Sequence, residues 1–94
     1  MLTDKHLQSI LESDQKHYAY VAWWDGDRQV RLTAVEHLDD QDALERIALY
    51  DSDWQVREAA ILKLNNRDVL KVISLIEGEP YNRNAANARL YVEE

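Results

Sequence analysis

Asp51-Ser52-Asp53-Trp54-Gln55-Val56-Arg57-Glu58-Ala59-Ala60-Ile61-Leu62-Lys63-Leu64 decides the fold, because the stretch occurs twice. Its other copy, Asp25-Gly26-Asp27-Arg28-Gln29-Val30-Arg31-Leu32-Thr33-Ala34-Val35-Glu36-His37-Leu38, lies 26 residues upstream. Self-similarity at one fixed spacing is the sequence signature of a repeat architecture. Within each copy, Val30, Ala34 and Leu38, or Val56, Ala60 and Leu64, fall at i, i+4 and i+8, one face of a helix.

Outward from that stretch the match continues. The block 25–50 aligns with 51–76, and Asp42, Leu44, Ile47 and Leu49 are identical to their partners. Ala43, Leu44, Ile47 and Ala48 form a second apolar stripe, so each block reads as two helices. The first begins after Asp27 or Asp53, the second after Asp39 or Asp40. There a carboxylate accepts free N–H groups and meets the positive helix end.

Upstream, Asp14-Gln15 matches Asp40-Gln41, and Val21-Ala22 matches Ile47-Ala48. Residues 1–24 are therefore expected to hold an atypical helix pair. Leu2, His6, Leu7, Ile10 and Leu11 form the first stripe, and Asp14 caps the second helix. Downstream, 77–94 reads as a half repeat with one closing helix. Pro80 suits its first turn, and Arg83, Ala86 and Leu90 continue the pattern of Arg57, Ala60 and Leu64. Gly78 is expected to end the preceding helix in the left-handed conformation. The expectation is one all-α domain of seven short helices, none stable alone.

Composition narrows the function classes. The chain has 94 residues, 46% hydrophobic and 31% charged, with two Gly and one Pro. That favours a single soluble helical domain over a turn-rich β fold. Eighteen Asp and Glu against eleven Lys and Arg give a formal charge of −7. The basic residues are dispersed, so neither nucleic acid nor an anionic membrane is an expected partner. No apolar run approaches the ~18 residues of a membrane span. With no Cys, disulfides, thiolate metal sites and Cys nucleophiles are excluded, in keeping with a reducing cytoplasm.

The unit Asp-x-Asp-x-x-Val-Arg-x-x-Ala-x-x-x-Leu, followed by Asp-x-x-x-Leu-x-x-Ile-Ala, resembles the HEAT repeat, above all its short bacterial versions. It is similar also to the leucine-rich-variant repeat. The resemblance spans about residues 14–90 and rests on Val30-Arg31 and Val56-Arg57 with the Asp pairs before them. It implies a right-handed α-solenoid of about three helix pairs plus a C-terminal closing helix. It also implies a ladder joining Arg31, Arg57 and Arg83 to Asp25, Asp27, Asp51 and Asp53 of neighbouring repeats. Two departures bear on the ladder's ends. The third block carries Glu77 and Glu79 for the Asp pair and Asn82 for Val, and residues 1–24 lack the Val-Arg.

Those arginines could instead bind an anionic ligand, but their recurrence at the structural period favours tying repeats together. The aromatic residues are more informative about function. Tyr18, Tyr20, Trp23 and Trp24 crowd one helix, which is then apolar nearly all round and must be covered on more sides than a stack offers. Tyr20, Trp23, Trp24 and Tyr50 are the expected centre of a protein-binding surface, since Trp and Tyr anchor interfaces. Trp54 is expected on a second edge, in a column with Arg28 and Tyr81.

No catalytic constellation, phosphate loop or metal-ligand spacing is present. His6, His17 and His37 share no motif. The function expected is a non-enzymatic interaction module, without cofactor or metal, binding another protein. Self-association through the aromatic patch, or an accessory role related to HEAT-like lyases, is the alternative.

Overall fold

Short side chains with a free oxygen start the helices of this chain that begin at Arg28, Gln41, Trp54 and Arg67. The Asp27 side chain accepts from Gln29 N–H at 2.8 Å, and Asp53 from Gln55 and Val56 N–H at 2.8 and 3.2 Å. Asp40 and Asn66 cap two further helices in the same way. A computed structural model describes the backbone of residues 4–91 and the side chains of residues 12–91. Six helices occur among the described residues: α1 (Asp4–Trp24), α2 (Arg28–His37), α3 (Gln41–Tyr50), α4 (Trp54–Ile61), α5 (Arg67–Ile76) and α6 (Pro80–Tyr91). No described residue is in a strand, and no described helix is long and apolar enough to cross a membrane.

Six rather than seven helices is the main departure from expectation. α1 runs unbroken through Asp14, so the expected N-terminal pair is one helix of 21 residues. The reason lies at the turn. In later blocks Leu38 and Leu64 are fully buried and pin the chain after the first helix. Glu12 holds that column position, has no apolar anchor to offer and is exposed. Helical hydrogen bonding therefore continues. Leu2 lies outside the described residues, as do the side chains of His6, Leu7, Ile10 and Leu11. Gly78 is not left-handed either: α5 closes on Glu77 in extended conformation, with φ −66° and ψ 128°.

The helices pack in two rows. Consecutive pairs α1–α2, α3–α4 and α5–α6 make the most extensive contacts, and α2 packs on α4, α4 on α6 and α1 on α3. The strongest pairs are thus out of phase with blocks cut at 25–50 and 51–76. Lys63 Nζ reaches the Val35 and Glu36 carbonyls, and Asn82 Nδ2 the Trp54 carbonyl, at sequence offsets of 27 to 28 residues. With Arg28 reaching Asp53 and Arg89 the Leu64 carbonyl at an offset of 25, contacts near both ends show that α2, α4 and α6 run parallel. The Cα envelope measures 48 × 36 × 15 Å. Its thin dimension suits two helix layers, each of Cα radius ~2.3 Å, with axes 8–10 Å apart.

Between the rows lies one core of Leu38, Leu44, Ile47, Val56, Ile61, Leu64, Leu70 and Ile73, each at most 2% exposed. Val30 departs from its repeat. It is 40% exposed, whereas Val56 is 1% and Asn82 0% exposed at the equivalent positions. Among the described residues α4 and α6 each have a helix of their row before them and α2 has none, so Val30 lies bare.

Candidate functional site

The carboxylates and arginines between the rows divide their work by position. Arg31 Nε and Nη2 donate to Oδ2 and Oδ1 of Asp51 at 2.9 and 3.1 Å, and Nη1 donates to the Asp25 carbonyl at 2.8 Å. One period later Arg57 donates to both oxygens of Glu77 at 3.0 Å and to the Asp51 carbonyl at 2.8 Å. Arg83 continues with the Glu77 carbonyl at 3.0 Å. Asp51 and Glu77 are thus junctions: the carboxylate takes the arginine of the block before, and the carbonyl takes that of its own block, while Asp25 supplies the carbonyl half alone. Glu77, standing where the sequence departs from Asp, carries the ladder on.

Asp27 and Asp53, the second acids, serve elsewhere. Both are helix caps, and Asp53 also accepts from Arg28 Nη1 at 3.2 Å. The sequence could not separate these roles, because both residues are Asp and stand two apart. Burial pushes the Glu77 carboxyl up, but the Arg57 guanidinium, the Glu79 N–H and the Asn82 amide outweigh it and hold it below the ordinary glutamate range. In Asp53 burial again acts upward, and the N–H groups of Val56 and Gln55 together with Arg28 leave it lowered.

A second periodic set was missed. Gln15 Nε2 donates to the His37 carbonyl at 3.0 Å while its Oε1 accepts from Asp39 N–H at 2.6 Å. Gln41 repeats this on the Lys63 carbonyl and Asn65 N–H at 3.0 and 2.9 Å. Each glutamine thereby clamps a carbonyl and an N–H of the next turn, and Gln15 takes the Asp40 N–H as well. The signal was present, as the matched Gln15 and Gln41, but a polar identity near a helix start reads as part of a cap.

The ladder sets the spacing of an apolar stripe beside it. Trp23 and Trp24 end α1, Leu49 and Tyr50 end α3, and Leu75 and Ile76 end α5. Corresponding residues sit one period apart in the sequence, each at the C-terminal end of its helix. Trp24, Tyr50, Leu75 and Ile76 are 66%, 71%, 83% and 65% exposed, and Tyr20 and Val72 add 67% and 47%. Trp23 is half-buried, edge-on to Trp24 at 6.4 Å and covered by the Arg46 guanidinium 5.7 Å from its ring. Two hollows notch the stripe at the rungs. One, of about 360 Å³, lies among Trp23, Trp24, Tyr50, Arg31 and Asp51. The other, of about 160 Å³, lies among Leu49, Ile76, Arg57 and Glu77.

Tyr20, Trp23, Trp24 and Tyr50 are thus brought onto one face, and Val72, Leu75 and Ile76 of α5 extend it beyond the expected centre. Trp54 lies apart, in the other row, stacked on Tyr81 with ring centroids 5.8 Å apart. His17 and His37 both line a groove of about 320 Å³ between α1 and α2, where Tyr18 stacks on His37 at 5.1 Å. The groove walls carry no carboxylate. Among the described residues no group of three or more His, Asp or Glu could hold a metal ion. The two rung hollows present charges already neutralised by each other, so the face offers shape and apolar area. No family model, curated protein or solved structure matches the chain.

Proposed function

We propose that the chain is a non-enzymatic interaction module, a right-handed HEAT-like α-solenoid that holds a segment of another protein along the α1–α3–α5 face. The carrying observation is the exposure of Trp24, Tyr50 and Ile76, one period apart at the ends of α1, α3 and α5, with Tyr20, Val72 and Leu75 exposed on the same helices. So many exposed large apolar side chains are uncommon on a chain that acts alone. The solenoid reading is supported by the parallel row α2–α4–α6 and the arginine ladder along it. Aromatic anchors beside shallow hollows suit apolar side chains of an extended or helical segment.

The test is capture from the native lysate with the wild-type chain, Tyr50→Asp and Leu75→Asp. Both replaced side chains are largely exposed, so both variants are expected to keep the wild-type melting temperature. A partner held by wild type and released by both variants is the expected result. A partner retained equally by both variants removes this face from the function.

A further inference from the structure

The bare edge of α2 and the unbroken α1 point to one another. Val56 and Asn82 are buried, Asn82 against the Trp54 carbonyl of the helix before it in the row, whereas Val30 opens onto the α1–α2 groove lined by Tyr18, Val21, Val30, Ala34 and His37. In α4 and α6 the corresponding edge receives a helix of the preceding block. The cations along this edge agree. Lys63 donates to the carbonyls that end α2, and Arg89, one period on, donates to the Leu64 carbonyl beyond α4. His37 holds the same column position on the open edge.

A helix able to fill the groove exists in the chain, but it cannot reach its own groove. Gln15 lies against the turn at His37 and Asp39, which makes α1 and α2 antiparallel. Residues 4–13 therefore run on past α2 for about 15 Å. The sequence gives that segment Leu7, Ile10 and Leu11 at spacings of three and one, a narrow apolar stripe. Folding back would need a turn near Asp14, where α1 is helical. When a chain cannot fold an element onto its own body, exchange with a second copy is the low-cost route to the same contact.

We propose that two copies form a reciprocal dimer in which residues 4–13 of each α1 lie in the α1–α2 groove of the other. This contact uses a different face from the aromatic stripe and stands or falls separately from it.

The absence of Cys makes the test direct. Gln8→Cys marks the middle of the segment and Thr33→Cys the middle of the groove. Within one chain these positions are separated by about 18 Å along α1. The two single variants, one isotopically labelled, are mixed and treated with a bis-maleimide shorter than that distance. A linked peptide pair carrying one labelled and one unlabelled chain is expected, and the unmodified chain is expected to sediment at twice its monomer mass. Sedimentation as a monomer overturns the proposal, as does a dimer without the 8–33 link. A chain carrying both substitutions is treated alongside, and an 8–33 link found only within that single chain also overturns the proposal, by showing the segment folded back on its own groove.

Discussion

Arg57 holds Glu77 through two parallel hydrogen bonds of 3.0 Å, although Arg31 meets an Asp in the same place at 2.9 and 3.1 Å. The extra methylene of Glu77 leaves the forked geometry unchanged, so the rung depends on a planar pair of oxygens more than on side-chain length. Replacing Arg57 by Ala is therefore expected to strand the Glu77 carboxylate and the Asp51 carbonyl. Removing one partner of such a part-buried pair costs about 1–3 kcal/mol. Arg57→Lys should recover little of it, because an ammonium cannot form the fork. Urea denaturation measures both, and an unchanged midpoint for Arg57→Ala would sink the ladder as a source of stability.

Acid should loosen the same joint. Glu77 has its folded-state pKa held below the ordinary value, mainly by Arg57 acting against burial. The unfolded chain then binds the proton first as pH falls. The contribution is complete above the ordinary carboxyl range and is lost as pH drops through the lower folded value, below about pH 4.3. Asp53 acts in the same direction. Thermal midpoints from pH 6 to pH 3 should fall less steeply for Glu77→Gln than for wild type. Equal slopes would show that this carboxyl does not carry the effect.

Gln41 offers a test of the turn clamps. Its amide satisfies the Lys63 carbonyl and the Asn65 N–H together. Gln41→Leu keeps the bulk and removes both bonds, and is expected to cost about 1–2 kcal/mol. Faster exchange of the Asn65 amide proton should accompany the loss. An unaltered exchange rate would mean that water replaces the glutamine without penalty.

Leu62 and Leu64 stand two residues apart with opposite surroundings, 53% and 0% exposed. Leu64→Ala is expected to cost about 2–5 kcal/mol by opening a cavity between the rows. Leu62→Ala should stay within about 0.5 kcal/mol. Comparable losses at both sites would contradict the packing of the turn after α4.

The helices and their caps were legible because apolar spacing and the paired acids report on local structure, and local structure repeats. The unbroken α1 was not read, although its cause was visible. Glu12 occupies the column of Leu38 and Leu64, and a period traced through identical residues passes over the one that fails to match. The aromatic face was legible at Tyr20, Trp23, Trp24 and Tyr50, where ring size drew attention. Its extension over Leu75 was not, since an aliphatic residue on an amphipathic helix reads as core. Only the arrangement of rows shows that α5 has more apolar surface than its neighbours can cover. Trp54 was read on a second edge in a column with Tyr81, and there the two rings stack.

The junction at Asp51, which receives one arginine at its carboxylate and another at its carbonyl, has a consequence for how such a chain can grow. An in-frame duplication of residues 51–76 would bring its own Arg57 and its own receiving acid, and both would find counterparts already shaped for them. Lengthening or shortening by whole units leaves every joint chemically familiar, whereas an insertion of another length between an arginine and its acid misaligns that joint. Reach along the exposed face is thus adjustable in steps without redesigning the interior.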